Sequence, residues 1–209
     1  MSAASQANDH RELDRLLGEM ALHPDDKGTY CDEIDRIFGE NGAVLVLDMS
    51  GFSRTTRRCG IVEGLLLTYR MRELAAPLIA AREGRIVKSE ADNLYCLFPD
   101  VCGAIAAARA IRADMEARNA ALEKDERLYA SIGIGFGRIL NVGGADFYGD
   151  EVNLTSKLAE DIAGRGEILL TPGALAAAYG GAPETEQAAC TVSGMDLVYY
   201  RTLCPPLAD

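Results

Sequence analysis

The sequence predicts an α+β fold, a ferredoxin-like βαββαβ core with further strands and helices appended. Three observations point there. Residues 43–48, AVLVLD, set five apolar residues before one acid, the pattern of a buried strand and its end. The stretch 84–99, GRIVKSEADNLYCLFP, reads as two strands joined by a tight turn near Ala91–Asn93, so the sheet contains an antiparallel pair. From residue 43 onward the elements run strand, helix, strand, strand, helix, strand, an order that places helices on one face of such a sheet. Many functions use this architecture, so fold alone decides none of them.

Each element has its own signal. Residues 10–22, HRELDRLLGEMAL, space Leu13, Leu16, Leu17 and Met20 as on one helix face, HPDDKG interrupts, and YCDEIDRIF suggests a second short helix packed by Ile34, Ile37 and Phe38. This extension, residues 1–40, reads as a packing or dimerisation element, and residues 41–205 as the main domain. After the first strand, SGFSRTTRR turns into a helix, and residues 61–84 form a long amphipathic helix stopped by Gly84. Residues 100–122 are an Ala-rich helix. LYASIGIGFGRIL alternates Gly133, Gly135 and Gly137 with Ile and Phe, a strand with one bare face. NVGGADFYG reads as a loop, DEVNLTSKLAEDIA as a helix, GEILLT as a strand, followed by a short helix and two last strands, ACTVS and LVYYRTL. There is no internal repeat.

Composition narrows the chemistry. The 209 residues carry 32 acids against 21 bases, a net charge of −11 that repels nucleic acid and anionic membrane. No stretch approaches the ~20 apolar residues of a membrane span, and MSAASQANDHREL lacks a secretory layout, so a cytoplasmic protein is expected. The six cysteines form no C-x-x-C pair and read as reduced, mostly buried thiols. The two histidines, His10 and His23, both precede the main domain, which argues against Ser-His-Asp, Cys-His and His-rich metal chemistry in the core. Carboxylates, Lys, Arg, Asn and backbone amides are left to act.

Two carboxylates stand out. Asp48 ends the first strand and Asp92 sits at the hairpin turn beside it, so the two converge at one edge of a ferredoxin-like sheet. Burying a lone carboxylate costs several kcal/mol unless it is paired or metal-bound. Paired acids without histidine suit two Mg²⁺ or Mn²⁺ ions, which keep waters and bind substrate phosphates. The turn Gly51, Phe52, Ser53 offers free amides at a helix start to a polyphosphate, with Arg54 adding charge. Taken singly, Asp48 also suits a helix cap and Asp92 a turn. A receiver-type phosphoacceptor needs an acidic pair after an earlier strand, and a haloacid-dehalogenase-type phosphatase needs a second Asp where Ser50 stands. Neither pattern is present.

The segments VLVLDMSGFS, GRIVKSEADNLYCLFPD and DFYGDEVNLTSKLAE, in this order and spacing, resemble the catalytic domain of the class III nucleotide cyclases over roughly residues 42 to 203. The resemblance implies a homodimer with active sites at the interface, converting a nucleoside triphosphate into a 3′,5′-cyclic monophosphate and pyrophosphate. It implies that Asp48 and Asp92 bind the metals, that Lys88 and Asp146 read the base as an adenine-selecting pair, and that Asn153 orients the ribose. Lys157 stands where the family carries its transition-state arginine. It further implies that Lys88 and Asp92 serve opposite active sites. ATP is the favoured substrate; a cyclase for another base (cyclic GMP, UMP or CMP) and a catalytically silent nucleotide-binding module are the alternatives.

The spacing has a physical sense of its own. Asn153 and Lys157 are one helical turn apart and face one ligand. Lys88 and Asp146 offer opposite hydrogen-bonding character, and leaving such groups unmatched costs a wrong base ~1–3 kcal/mol each. As for departures, Ala91 stands where Gly is usual, Glu90 adds an acid, Lys157 lacks the guanidinium fork, and most of the family's dimerisation arm is missing between Gly137 and Asp146. Ser193 and Met195 stand where a phosphate-contacting lysine is common, leaving Arg54, Arg57, Arg58 and Arg138 as substitutes. Lys88 also suits a solvent-facing strand edge and Asp146 a helix cap. Asp150 and Glu151 read as first-turn acids favoured by the helix dipole.

Overall fold

The chain begins with a helical hairpin. In the computed structural model, residues 7–203 are described apart from 124–126, 179–180, 182 and 193 and the side chains of Arg54 and Met195. Helix α1 (His10–Leu22) starts on Asp9, whose carboxylate accepts from the Glu12 amide at 2.9 Å and so caps the helix. One 3₁₀ turn, Pro24–Asp26, leads to α2 (Lys27–Phe38). Leu13, Leu16, Ile34 and Phe38 close over Val142. Arg138 adds a two-pronged ion pair to Asp35 at 2.8 and 2.6 Å. That pairing commits Arg138 to the extension and removes it from the bases expected to meet phosphate.

Strand β1 (Gly39–Met49) pairs antiparallel with β3 (Asn93–Phe98) on one side and β4 (Ala130–Val142) on the other, and β2 (Arg85–Glu90) lies outside β3. The order β2-β3-β1-β4 is the ferredoxin-like core. The appended strands continue it: β6 (Ile168–Leu170) runs parallel to β4, then come β8 (Met195–Thr202) and β7 (Thr185–Val192). The connecting helices are α3 (Phe52–Cys59), α4 (Ile61–Ala80), α5 (Val101–Asn119), α6 (Asp150–Lys157) and α7 (Pro172–Ala177).

The two faces of β1 follow its period of two. Ala43, Leu45, Leu47 and Met49 meet Met71, Leu74 and Ile79 of α4 and Ile111 of α5. Each fully buried Leu or Ile contributes roughly 1.5–3 kcal/mol. Val44 and Val46 point the other way, to Tyr95, Ile139, Phe147 and Val152. Helices on a single face were expected; α4 and α5 obey, but α6 lies on the opposite face. The cause is the glycine side of β4. A Cβ on Gly133 would meet the Thr155 carbonyl, and one on Gly135 would meet the Thr155 hydroxyl and the Glu151 carboxylate. The bare strand is the seat of a helix.

Glu151, expected as a solvated dipole partner, is instead a bridge. Its Oε1 accepts from the Phe136 amide at 3.0 Å and from the Thr171 hydroxyl, tying α6 to β4 and to the start of α7. The expected 150–163 helix also changes form: after Lys157 one π-helical turn, Leu158–Ile162, closes with Ala163 N–H on the Leu158 carbonyl at 2.8 Å. The expected loop at 141–149 holds a short strand, β5 (Asp146–Tyr148), paired back on β4 through a turn with Gly143 and Gly144 at φ of 61° and 70°. Its Phe147 is buried and meets Tyr95 edge-on at 6.2 Å, which folds this short arm over the sheet. Of the described cysteines only Cys96 is buried, its thiol pushed up to about 12 by burial; Cys31, Cys59 and Cys102 are exposed. Among the described residues no helix is long and apolar enough to cross a membrane.

Substituting Gly135→Ala inserts a methyl against Thr155 and Glu151. The urea unfolding midpoint is expected to fall by the equivalent of about 1–3 kcal/mol, with the native circular dichroism spectrum retained before the transition.

Candidate active site

Register places the first pair of acids. Asp48 lies opposite Asn93 across the β1–β3 ladder, and the Met49 amide donates to the Asp92 carbonyl at 3.1 Å, so both acids stand at one tip of the sheet. Asp48 is half-buried on the α6 face, next after Val44 and Val46 in the period of two. Its carboxyl is pushed up to about 6, first by burial and then by the charges of Asp92 and Glu160. Glu160 is held there by Asn93 Nδ2 at 3.0 Å and the Tyr95 hydroxyl at 3.1 Å. An excess of negative charge in a partly dry place is what a hard divalent cation compensates, and the donor set fits Mg²⁺ or Mn²⁺. Among the described residues no three His, Cys, Asp or Glu side chains converge as a complete ligand set. A cation held by this pair would therefore take its other ligands from water and phosphate.

The turn after Asp48 is built for open amides. Gly51 has a φ of 101°, which lets the chain reverse into α3, and no side chain caps that helix start. The Ser50 amide is taken by the Tyr129 carbonyl at 2.9 Å. Phe52 packs its ring on the core, so its contribution to a ligand is its amide, beside that of exposed Ser53. The Arg54 side chain lies outside the described residues.

Lys88 and Asp146 form the second constellation. The Lys88 ammonium is 3.1 Å from Asp146 Oδ1 and 3.1 Å from Glu90, and 4.9 Å from the centre of the Tyr95 ring. Lys88 is therefore no solvent-facing edge lysine. Burial opposes its charge, yet Asp146 and Glu90 outweigh burial and hold it above the ordinary lysine range. Asp146 does not cap α6, whose N-cap is Gly149. Its Oδ1 accepts the Phe147 amide and its Oδ2 the Tyr148 hydroxyl, both at 2.8 Å. Burial alone would raise its carboxyl, but these donors and Lys88 bring it below the usual range.

The third group is the outer face of α6. Asn153 and Lys157 line an open cavity of about 570 Å³ with Asp150, Glu160, Asp161 and Leu197 of β8. Asp48 and Asp92 do not line it. Within one copy the structure thus brings together Asp48 with Asp92, Lys88 with Asp146, and Asn153 with Lys157, as three separate clusters. The Lys157 ammonium lies 4.0 Å from Asp161.

Sequence reasoning missed Tyr95, Tyr148, Glu160 and His10. Tyr148 shares the strand face of Asp146 by the period of two, and Glu160 stands seven residues after Asn153, so periodicity held a signal for both. His10, 3.8 Å from Asp146 Oδ2, had none, because tertiary packing brings it there.

No family model matches the chain. Over 131 residues it is 31% identical to "Putative adenylate cyclase 3" of Rhizobium meliloti (strain 1021), a match covering 63% of this chain and 22% of that relative's length. The crystal structure of adenylate/guanylate cyclase/hydrolase from Silicibacter pomeroyi superposes with a TM-score of 0.69 at 26% identity, over 80% of this chain and 98% of that one. The adenylyl cyclase CyaB from P. aeruginosa shares the fold, with a TM-score of 0.63 at 18% identity over 82% and 99% of the two chains. The fold is that of a nucleotide cyclase catalytic domain. The chain is thus similar to the catalytic domains of the class III nucleotide cyclases, and spans about a fifth of the length of the curated relative it matches.

The raised Asp48 carboxyl has a testable sign. Its folded value of about 6 exceeds its ordinary 3.8, so the folded state binds the proton more tightly and metal-free stability falls as pH rises between them. Asp48→Asn is expected to melt above wild type at pH 7.5 without metal and to flatten that slope. Millimolar Mn²⁺ should raise the melting temperature of wild type and leave Asp48→Asn nearly unmoved.

Proposed function

We propose that the chain converts ATP into 3′,5′-cyclic AMP and pyrophosphate, as a homodimer whose active sites lie between the copies. The observation that carries this reading is the pairing of Asp48 with Asp92 at one sheet tip, half-buried and short of positive charge. Two Mg²⁺ or Mn²⁺ ions held by these carboxylates would supply Lewis-acid activation of the ribose 3′-hydroxyl and neutralise triphosphate charge. The 3′-oxygen bonds to the α-phosphorus, the bond from that phosphorus to the bridging oxygen of the β-phosphate breaks, and pyrophosphate leaves. The hydroxyl proton passes by way of Asp48 to water.

The remaining work falls to this chain's own groups. The amides of Phe52 and Ser53, after Gly51, meet the leaving pyrophosphate at a helix start. Arg54, next in that turn, adds positive charge. Asn153 orients the ribose, and Lys157, one turn on, faces charge developing at the α-phosphate as a point charge rather than a fork. Lys88 donates to a ring nitrogen of adenine and Asp146 accepts from its amine, each giving up part of its present pairing with the other. A nucleotide spanning these groups takes its metal acids from one copy and its base and ribose contacts from the other, which is why a dimer is required.

Incubation of purified protein with each of the four nucleoside triphosphates and Mn²⁺ is expected to yield cyclic AMP as the main product. Cyclic GMP, UMP or CMP in its place would overturn the roles given to Lys88 and Asp146. No cyclic product from any of them would overturn the cyclase reading and leave a nucleotide-binding module.

Asp48→Ala and Asp92→Ala are each expected to lose about a hundredfold or more of turnover while remaining dimeric by size-exclusion chromatography. Mixing Asp92→Ala with Lys88→Ala protein should restore part of the activity. Verified heterodimers that stay inactive would count against shared sites.

A further inference from the structure

The N-terminal extension packs as expected, but it also reaches the base-reading pair. Asn8 Oδ1 accepts the Gly143 amide at 2.7 Å, and Asn8 Nδ2 donates to the Ile37 carbonyl at 3.4 Å. Gly143 opens the turn that delivers Asp146, and the neighbouring Gly144 is held by Asn141 Oδ1 on its amide and Arg85 on its carbonyl. Two residues past Asn8, at the first position of α1, His10 places Nε2 3.8 Å from Asp146 Oδ2. Leu13 and Leu16 of the same helix are buried against α2 and Val142, and the Arg138–Asp35 pair locks α2 to β4. These contacts fix helix α1, and with it the place from which His10 projects. Its side chain is half exposed, open to an incoming ligand.

We propose that His10 is a positioning residue of the base pocket, holding Asp146 in place when Lys88 turns to a nucleobase and so sharpening the choice of base. The proposal rests on the reading of Lys88 and Asp146 as the base-recognising pair. In the chain without nucleotide, Asp146 is surrounded by donors: Lys88 and the Phe147 amide on Oδ1, and the Tyr148 hydroxyl on Oδ2. A base that draws Lys88 away removes the nearest cation from this carboxylate. The His10 ring, supplied by a different element, already stands 3.8 Å from the other oxygen, near enough to close on it as a donor. Asp14, one turn further along α1, acts electrostatically on the Tyr148 hydroxyl, so the same helix face addresses both partners of the pocket. The extension thereby becomes part of the substrate site as well as of the core.

The test compares full-length wild type, His10→Ala and His10→Lys. KM and kcat are measured for ATP and GTP with Mn²⁺, and equilibrium binding of both nucleotides is measured by calorimetry in Ca²⁺. His10→Ala is expected to raise KM and the dissociation constant for the preferred nucleotide by about two- to fivefold, with a smaller change in kcat and a narrower preference between the two bases. His10→Lys, which returns an N–H donor beside Asp146, should recover most of that preference. Equal base preference in all three proteins, at equal melting temperature, overturns the role of His10. Loss of kcat and of melting temperature together in His10→Ala, without recovery in His10→Lys, also overturns it and leaves His10 a packing residue. If wild type forms no cyclic product yet binds nucleotide, the cyclase reading fails and the calorimetric comparison still decides the role of His10. Absence of binding in wild type overturns both.

Discussion

Strand β4 offers helix α6 no side chain of its own where Gly133 and Gly135 face it. The other features of the site depend on this contact. Three glycines in one strand cost about 0.5–1 kcal/mol each relative to alanine, and they weaken the strand's own preference for being extended. The loss is offset locally. Glu151 enters the space and accepts from the Phe136 amide and the Thr171 hydroxyl, bonds to a charged acceptor worth roughly 1.5–3 kcal/mol each. The helix is pressed to the sheet and its rotation is set, with Glu151 inward. Asn153, Lys157 and Glu160 must then face outward, and the π-turn carries Glu160 to Asn93 and Tyr95 at the tip of the neighbouring hairpin.

That geometry connects clusters that the chain keeps apart in sequence. Tyr95 is the joint. Its ring lies under the Lys88 ammonium, its edge meets Phe147 of the β5 arm, and its hydroxyl donates to Glu160. The Lys88–Asp146 pair, the β5 arm and the carboxylate tip thus rest on one side chain. A β3 residue that a pattern of alternation marks only as inward-facing turns out to hold three regions of the candidate site together. The core beneath, Leu45 and Leu47 against Met71 and Ile79, keeps β1 straight enough for Asp48 to arrive beside Asp92.

The fold was legible because its signals are local. Apolar runs, turn residues and helical spacing all sit within a few residues of one another, and α1 begins and ends where spacing puts it. The acid pair was legible because a strand end and a hairpin turn are adjacent in any sheet of this order. The face chosen by α6 was not, since bare glycines tell of close approach but not of what approaches. Strand β5 was hidden by the two glycines of the turn before it, which read as loop although Phe147 was apolar enough to anchor a strand. The role of Glu151 was hidden for a related reason. An acid in a first helical turn has a sufficient local explanation, and only the Thr171 and Phe136 partners, distant in sequence, replace it.

Charge decides how the proposed chemistry is divided. The chain carries a net charge of −11, and its site is no exception. Lys157 shares its cavity with Asp150, Glu160 and Asp161, and Lys88 is already divided between Asp146 and Glu90. A triphosphate approaching such a surface meets more repulsion than attraction from fixed side chains. In the proposed reaction positive charge would therefore come largely with divalent ions at the one tip where Asp48 and Asp92 concentrate negative charge. Lysine in place of arginine at position 157 fits the same division, because a point charge can assist at the α-phosphate without having to hold the whole polyanion. In the proposed reaction selectivity falls to the hydrogen-bonding character of Lys88 and Asp146, which are paired with each other until a base of matching pattern separates them.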